Sequence, residues 1–271
     1  MNDFAQRTAV ITGAASGIGR GLARACARAG MRVALLDIQP GPLAAFEREL
    51  TAAGATACSV VTDVSDGAAV EAAAQTVQHR LGPVHLLVNN AGVAVHGRPL
   101  AEVPDADWQW ALGVNVMGVV HGVRAFLPAM RAHDQGGHIV NTASIGGLQV
   151  RPGWNGGPYS ATKYAVVALS ESLRNELEGT NVGVSVLCPG PVRTNLAQGN
   201  AARPQRFGAP SAQAMPGMLE AVLAGGVDPD AVGELVLRAV RERQFFVFTH
   251  PEHREWIAHR HAQLMEGFDW L

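Results

Sequence analysis

Residues 8–29 read TAVITGAASGIGRGLARACARA, and this stretch decides the fold. The apolar run at residues 9–11 is typical of a central strand that a parallel sheet covers on both faces. Apolar residues recur at helical spacing from residue 18 to residue 29. Between the two patterns stand three glycines, Gly13, Gly17 and Gly19. The stretch therefore predicts a buried strand, a glycine-rich turn and a helix.

The glycine-rich turn suits a phosphate ligand. Glycines allow close approach of a phosphate, and the N-terminus of the following helix offers free N–H groups and the positive end of its dipole. The spacing is T-G-x-x-x-G-x-G rather than G-x-G-x-x-G, and such a turn alone is also compatible with a purely structural role. The next predicted strand ends at Asp37, and an acid about 20 residues beyond the loop suits a ribose 2′-hydroxyl.

Length and composition predict one α/β domain. The chain has 271 residues, 48% of them apolar, which is enough to bury a sizeable core. The net charge of −2 and the lack of a basic run favour neither nucleic acid nor an anionic membrane as a partner. No apolar leader and no run of about 20 apolar residues stand out, so we expect a cytoplasmic protein without a membrane span.

The three cysteines lie in apolar strand or helix patterns, which predicts small core residues rather than disulfides. Their odd number and the absence of a pairing motif favour a reducing compartment. The three are Cys26, Cys58 and Cys188.

Strand and helix patterns alternate along the chain. The predicted strands span residues 8–12, 32–37, 56–62, 85–89, 138–142, 182–188 and 244–249. Beyond the first helix, the predicted helices span residues 41–53, 65–80, 105–131, 158–178 and 251–267, with another that begins at Asp228-Pro229. This alternation predicts a doubly wound, parallel, seven-stranded sheet in a single domain. Ligands of such sheets bind beyond the carboxyl ends of the strands, where the polar and glycine motifs of this chain also fall.

Tyr159 and Lys163 stand four residues apart near a predicted helix start, so they share one helix face. A phenol titrates near ~10, and a nearby ammonium favours the phenolate and lowers that pKa toward a useful range. Ser144, at a strand end, can donate to a developing alkoxide. By themselves, the pair also fits a solvated helix surface, and Ser144 also fits a turn hydroxyl that bonds its own backbone.

The sequence resembles the short-chain dehydrogenase/reductase family over essentially its whole length. The resemblance implies a Rossmann-type fold and a nicotinamide-dependent oxidoreductase. The matching motifs are TGAASGIG at 12–19, Asp63-Val64, NNAG at 89–92, Asn115 within VNVMG, Ser144 within NTASIGG, Tyr159 with Lys163, and PGPVRT at 189–194.

The resemblance implies a catalytic tetrad of Asn115, Ser144, Tyr159 and Lys163. Tyr159 would take the proton from a substrate hydroxyl, or return it in the reverse direction. Ser144 would orient the substrate oxygen, and Lys163 would hold the nicotinamide ribose and lower the pKa of Tyr159. Asn115 would lie at a break in the long helix and hold a water that relays protons from Lys163.

The same resemblance implies the cofactor site. Asp63 and Val64 would meet the adenine, Asn90 the adenosine-side ribose, and the segment at 192–194 the carboxamide. The full set expected to hold the cofactor is Gly13, Ser16, Gly17, Ile18, Gly19, Asp37, Asp63, Val64, Asn90, Ala91, Gly92, Tyr159, Lys163, Pro189, Gly190, Val192 and Thr194.

We favour NAD over NADP as the cofactor. The carboxylate of Asp37 accepts hydrogen bonds from two ribose hydroxyls but repels a 2′-phosphate. Neither Arg nor Lys follows at residues 38 and 39 to attract that phosphate. Ser16 stands where phosphate-preferring relatives often carry a basic residue, and Arg20, although near, sits on a helix that can point it elsewhere.

The substrate site is expected from the variable parts of the chain. Residues 195–228, the longest irregular stretch, are a candidate lid, whose apolar residues equally fit simple packing on the sheet. Arg193, Arg203 and Arg206 are expected to be solvated. The residues expected to meet substrate are His96, Ser144, Gln149, Trp154, Tyr159 and Met215.

Residues 250–271 are expected to form a C-terminal packing or oligomer segment. Two of its histidines belong to one helical stripe, so we expect no metal site. That stripe, expected to pack on the body or on another subunit, is His253, Ile257, His261, Leu264 and Phe268. The resemblance implies a homodimer or homotetramer, and we hypothesise that Trp270-Leu271 reaches a neighbour's site.

The sequence thus predicts an NAD-dependent oxidoreductase for a bulky, hydrophobic secondary alcohol or ketone, such as an aryl alcohol or hydroxysteroid. Alternatives are an NADPH-dependent ketoreductase, another reaction on the same scaffold, such as enoyl reduction, epimerisation or dehydration, and a catalytically silent NAD-binding regulator. The intact Ser144, Tyr159 and Lys163 argue against the regulator.

Overall fold

A parallel sheet organises the chain. The computed structural model describes residues 3–210 and 217–270, and within them seven strands pair in parallel in the order β3-β2-β1-β4-β5-β6-β7. The predicted doubly wound sheet is confirmed. Its strands are β1 (Thr8–Thr12), β2 (Arg32–Asp37), β3 (Ala57–Val61), β4 (Val84–Asn89), β5 (Gly137–Thr142), β6 (Val182–Cys188) and β7 (Phe246–Phe248).

Helices connect these strands. In chain order they are α1 (Gly17–Arg28), α2 (Pro40–Ala52), α3 (Gly67–Leu81), α4 (Asp105–Leu112), α5 (Gly118–Ala132), α6 (Gly157–Glu176), α7 (Met218–Ala224), α8 (Pro229–Glu242) and α9 (His253–Glu266). The side chain of Asp228 accepts a hydrogen bond from the backbone N–H of Asp230, so the predicted cap of α8 is confirmed.

Side chains of β1 alternate between two apolar layers, as the period of a strand requires. Ala9 and Ile11 belong to the cluster that contains Leu22 of α1 and Val236 of α8. Val10 belongs to the cluster on the opposite face, which contains Phe126 of α5. The sheet is therefore covered on both faces, which explains the continuous apolar run in β1.

Several predicted boundaries were wrong by a few residues. The long helix predicted at 105–131 is divided at the expected break, where a π-helical segment at Gly113–Met117 separates α4 from α5. The last strand is shorter than predicted and keeps only Phe246–Phe248. Helix α2 begins one residue early, with its proline in the first turn. The cysteines are all buried and unpaired, as predicted.

The run Asp105–Ala132 is long and apolar enough, by length and composition, to cross a membrane, with a mean hydropathy of 1.3 in its best window. However, 44% of that window is buried within the protein, where α5 packs against α3 and β4. Helices in a protein core pass the same test, so the run is no argument for a membrane span.

One of the expectations for the C-terminal third was wrong. Residues 195–228 are not irregular throughout, since they contain 3₁₀ turns at Leu196–Ala202 and Gln205–Phe207 as well as α7. The α9 stripe begins with the buried His253 and the half-buried Ile257, whereas Leu264 and Phe268 are 52% and 64% exposed, so packing of that end on another subunit stays a prediction.

Helices α1 and α8 pack so closely that their backbones nearly touch. A Cβ atom on Gly21 would lie 2.1 Å from the carbonyl oxygen of Pro229. A Cβ atom on Gly233 would likewise lie 2.5 Å from the carbonyl oxygen of Gly21. Both positions therefore require glycine, because the atoms in the way belong to backbone and cannot move aside as a flexible side chain could.

We expect Gly21→Ala to lower the free energy of unfolding by about 1–3 kcal/mol, because the added methyl group forces α1 away from α8. Gly41→Ala is the matched control, since its Cβ would meet no atom within 4 Å in α2 and should leave stability unchanged or slightly higher. Chemical denaturation followed by circular dichroism measures both. Equal stabilities for the two variants would contradict the close contact.

Candidate active site

The turn between β1 and α1 is built for close approach. Gly13 and Gly17 have φ angles of 65° and 52°, which favour glycine. A Cβ atom on Gly17 would lie 2.8 Å from Cγ2 of Thr194, and one on Gly13 would lie 2.8 Å from Cα of Ala91. The turn thus contacts both neighbouring motifs and presents the N-terminus of α1 to the same space.

The carboxylate of Asp37 is fixed at the end of β2. Its Oδ2 accepts from the backbone N–H of Ala15 at 3.0 Å, and its Oδ1 accepts from that of Gln39 at 3.0 Å. Burial raises the pKa of Asp37, while these backbone hydrogen bonds act in the opposite direction. The carboxylate is therefore oriented beside the glycine turn, and within residues 3–210 and 217–270 no ion pair to it is seen.

The hydroxyl of Thr12 ties the first turn to the NNAG motif. Its Oγ1 accepts from the backbone N–H groups of Asn90 and Ala91 at 2.9 and 3.0 Å. The Asn90 side chain returns a hydrogen bond to the carbonyl of Thr12 at 3.0 Å. Thr12 was not singled out by the sequence analysis, although its place at the end of β1 was visible there.

Ser144 and Tyr159 face one another beyond β5. Ser144 Oγ accepts from the backbone N–H of Gly146 at 3.1 Å, and the Ser144 hydroxyl also hydrogen-bonds the phenol of Tyr159. Tyr159 is partly exposed to the cleft, yet the surrounding protein desolvates its phenol. This burial raises the pKa of Tyr159 above its usual value, and a hydrogen bond with Ser144 only partly offsets it.

Lys163 lies behind the tyrosine, and its ammonium donates to the carbonyl of Thr142 at 2.8 Å. Burial lowers the pKa of Lys163 to about 8. The expectation that the ammonium lowers the Tyr159 pKa is wrong for this state, since desolvation dominates and Nζ lies 5.8 Å from the ring centroid. Lys163 is also the only lysine in the chain, a signal that the sequence offered.

Asn115 lies in the π-helical segment, so the expected break in the long helix is confirmed. Its Oδ1 accepts from the backbone N–H of Val93 at 2.8 Å, and its Nδ2 donates to the carbonyl of Val93 and the hydroxyl of Thr162. A Cβ atom on Gly92 would lie 3.4 Å from both Asn115 Oδ1 and Lys163 Nζ. The two groups thus approach the same spot.

Most of the expected site residues border one cleft of about 310 Å³. It brings together three members of the expected tetrad, Ser144, Tyr159 and Lys163. Gly19 and Gly190, of the expected cofactor set, do not border it, nor does Asn115. The cofactor residues that do border the cleft, besides Tyr159 and Lys163, are Gly13, Ser16, Gly17, Ile18, Asp37, Asp63, Val64, Asn90, Ala91, Gly92, Pro189, Val192 and Thr194.

The other expected substrate residues in the described part of the chain do not border the cleft. Trp154 packs with lid residues Leu219 and Leu223. His96 has a buried Nε2 atom without a hydrogen-bond partner in the described part of the chain, and burial lowers its pKa. Gln149 is partly buried and does not border the cleft. Met215 lies outside the described residues.

Several walls of the cleft are apolar, and no sequence pattern identified them as part of the site. Trp110 and Val114 come from the long helical run, and the lid supplies others. Periodicity alone could have assigned Trp110 to a buried helix face, but not to this cleft. The lid residues that border the cleft are Asn195, Leu196, Gln198, Gly199, Ala201, Ala202, Pro204 and Leu223.

The three arginines expected to be solvated are all paired. Arg203 is buried and pairs with Asp107 at 2.5 Å. Arg206 pairs with Asp63 at 2.6 Å, and Arg193 pairs with Asp228. Only Arg203 departs from the expectation, since the side chains of Arg193 and Arg206 remain 51% and 49% exposed. Within residues 3–210 and 217–270, no cluster of three His, Cys, Asp or Glu side chains could hold a metal.

The residues present fit a dinucleotide. A glycine turn at the start of α1 suits a pyrophosphate, and the oriented Asp37 carboxylate suits ribose hydroxyls. Both border the same cleft as the Ser144 and Tyr159 hydroxyls. A cofactor bound along the cleft would therefore have its phosphates at the turn and its reactive end toward the tyrosine.

Comparisons with known proteins agree with this geometry. The sequence profile of the short chain dehydrogenase family matches residues 7–205. The chain is 32% identical to the CLA biosynthesis dehydrogenase/reductase of Lactiplantibacillus plantarum over 270 residues, or 96% of this chain and 93% of that protein. It is 38% identical to the 1-deoxy-11-beta-hydroxypentalenate dehydrogenase of Streptomyces avermitilis, covering 90% of this chain and 85% of that one.

A solved structure is also similar along nearly the whole length. A short chain dehydrogenase/reductase from Burkholderia phymatum, crystallised in complex with NAD, is 41% identical with a TM-score of 0.94, covering 98% of this chain and 97% of that one. From its motifs, its sheet and these relatives, the chain belongs to the short-chain dehydrogenase/reductase family and is a nicotinamide-dependent oxidoreductase of alcohol and ketone groups.

Proposed function

We propose that the chain is an NAD-dependent dehydrogenase of bulky, apolar secondary alcohols that also catalyses the reverse reduction. The observation that carries this proposal is the shared cleft, in which Ser144, Tyr159 and Lys163 lie beyond the same sheet edge as Asp37 and the glycine turn. A catalytically silent regulator would not need these three side chains together.

The choice of NAD rests on the surroundings of Asp37. Its carboxylate would accept from both adenosine ribose hydroxyls and would repel a 2′-phosphate. Arg20, the nearest candidate to attract that phosphate, instead pairs with Glu49 and stacks 4.5 Å from the Phe46 ring centroid. The Burkholderia relative was crystallised with NAD, which supports the same choice.

The mechanism follows from the three side chains. When bound, the nicotinamide ring accepts or returns a hydride. Ser144, held by the backbone N–H of Gly146, would donate its O–H to the substrate oxygen and hold that oxygen beside the tyrosine. Tyr159 Oη gives its proton to a ketone oxygen or removes the proton of an alcohol. Lys163, fixed by Thr142, keeps two N–H donors for the nicotinamide ribose.

The pKa of Tyr159 affects how the rates of ketone reduction and of alcohol oxidation depend on pH. Because burial raises this pKa, the protonated phenol dominates at neutral pH and suits ketone reduction. Alcohol oxidation requires the phenolate as base, so its rate should increase as the pH rises. We propose further that Asn115, whose Oδ1 approaches the same position beside Gly92 as Lys163 Nζ, holds a proton-relaying water near Lys163.

The substrate class rests on the cleft walls. Trp110, Val114 and Leu223 line the same cleft as Ser144 and give it apolar walls. The lid, residues 195–228, would cover a substrate there, with Trp154 packed between lid and body. The name of the Streptomyces relative specifies a hydroxylated substrate, which supports an alcohol of this general kind.

We also propose that the protein is cytoplasmic and assembles into a homodimer or homotetramer. Helix α9 supports the assembly, since it leaves large apolar side chains exposed that a second copy would cover. These are Trp256, Leu264, Met265 and Phe268.

Tyr159→Phe tests the mechanism. We expect kcat for secondary alcohols to fall by about a hundredfold to ten-thousandfold, because the variant lacks its acid–base group, while NAD still binds. NADH formation is measured at 340 nm with a panel of aliphatic, aryl and steroid alcohols, using NAD and NADP. Tyr164→Phe changes the only other tyrosine and should retain activity. Undiminished turnover in Tyr159→Phe would remove Tyr159 from the mechanism.

Asp37→Asn tests cofactor choice. We expect the ratio of kcat/KM for NAD to that for NADP to fall at least about tenfold, because one charge that repels a 2′-phosphate is lost. Glu71→Gln removes the same charge from an exposed site and should leave the ratio unchanged. If Asp37→Asn also leaves it unchanged, Asp37 does not select the cofactor.

Lys163→Met tests the burial of the ammonium. The pKa of about 8 in the folded protein lies below the usual 10.5, so at pH 7 the folded state holds a charge that burial disfavours. We expect the variant to be inactive yet more stable at pH 7, by about 2–3 kcal/mol. The advantage should shrink between pH 8 and 10.5, where the unfolded chain alone still holds the proton. Denaturant titrations across that range measure it, and a variant less stable at pH 7 would contradict the prediction.

A further inference from the structure

One part of the lid is fixed to the body of the protein. Residues 203–207, the anchor segment, are held by Arg203, whose guanidinium pairs with Asp107 at 2.5 Å. Both side chains are almost fully buried, at 2% and 4% exposure. The same guanidinium donates to the carbonyl of Phe207 at 2.6 Å and lies 4.8 Å from the Trp110 ring centroid. A buried, hydrogen-bonded pair of this kind does not open readily.

The anchor segment places the side chain of Arg206 beside that of Asp63. Nη2 of Arg206 donates to Asp63 Oδ2 and to Ser65 Oγ, both at 2.6 Å. The backbone N–H and hydroxyl of Ser65 donate to the other carboxylate oxygen at 2.9 and 2.6 Å. Burial raises the pKa of Asp63, but the hydrogen bonds from Ser65 and Arg206 together hold it below its usual value. The carboxylate is therefore charged and fixed from both sides.

This contact lies at the adenosine end of the cleft. Asp63 borders the cleft together with Asp37, whose carboxylate suits the adenosine ribose. Three residues next to Arg206 in the chain, Ala201, Ala202 and Pro204, border it as well. The lid therefore covers the adenosine end through a charged contact, whereas α7 meets the substrate side through the apolar side chains of Leu219 and Leu223.

We infer that Arg206 is a positioning residue for the adenosine half of the dinucleotide, an inference that rests on the proposed function. It holds the Asp63 carboxylate in place from the lid side, while Arg203 keeps the anchor segment over that end of the cleft. Loss of Arg206 frees the carboxylate on that side and leaves the anchor segment itself in place. A ligand that carries the adenosine half should then bind more weakly and leave faster, whether or not it carries nicotinamide.

The test compares Arg206→Ala with Arg28→Ala. The Arg28 side chain is 50% exposed and pairs with Glu234 at 2.8 Å, against 49% exposure and 2.6 Å to Asp63 for Arg206, so the control removes a matched surface pair far from the cleft. Calorimetry gives the Kd of NAD and of ADP-ribose, which shares the adenosine half. Stopped-flow fluorescence gives the NADH dissociation rate, and Arg206→Lys tests for partial rescue.

We expect Arg206→Ala to raise both Kd values by a similar factor, about three- to tenfold, and to speed NADH release, while Arg28→Ala stays within about twofold of the natural protein. Arg206→Lys should fall between them, because a lysine keeps the charge but not the guanidinium geometry. Unchanged ADP-ribose affinity in Arg206→Ala, or equal weakening in Arg28→Ala, would overturn the inference. If the natural protein binds neither NAD nor ADP-ribose, the proposed function itself fails.

Discussion

The hydroxyl of Thr12 is the point on which the nucleotide side of the cleft depends. One oxygen atom at the end of β1 accepts from two successive backbone N–H groups, those of Asn90 and Ala91. Strands β1 and β4 are neighbours in the sheet, so this contact sets the height at which their two loops leave it. The glycine turn is thereby fixed relative to the NNAG motif. The two pack closely, because a Cβ atom on Gly13 would lie only 2.8 Å from Cα of Ala91. Few buried hydroxyls constrain so much backbone at once.

On the catalytic side of the cleft, burial disfavours the charged forms of the two titratable side chains. Desolvation raises the pKa of Tyr159 and lowers that of Lys163. Burial therefore disfavours the phenolate and the ammonium, the charged forms that proton transfer requires at some stage. A chain whose other 20 basic side chains are arginines places its only lysine here. The ammonium can lose its proton when buried, whereas a guanidinium stays charged. This explains why the residue type, and not only its charge, matters at this position.

Local patterns were enough to predict most of the fold and much of the site. The apolar run before Gly13, the acid at the end of β2 and the Tyr159–Lys163 spacing are each read from a few adjacent residues. The misjudged features depend on contacts between distant residues. Arg203 pairs with Asp107, which lies 96 positions away in the chain, and no local sequence pattern at either residue predicts the pair. The direction of the Tyr159 pKa shift also depends on how completely the folded protein surrounds the phenol, which spacing cannot report.

The π-helical segment has a consequence for angular register. Along an uninterrupted α-helix each residue turns about 100°, so Trp110 and Phe126 would face directions about 160° apart. A π turn accommodates one extra residue and so sets the following helix back by one step, which brings the two rings to within about 60°. Both are in fact buried in the same apolar cluster, at 2% and 3% exposure. The π turn that contains Asn115 thus absorbs the extra residue and keeps a single apolar seam running from α4 into α5. Deleting one residue there would restore a regular helix with the seam in place, so the extra residue serves the position of Asn115 and not the packing of the two helices.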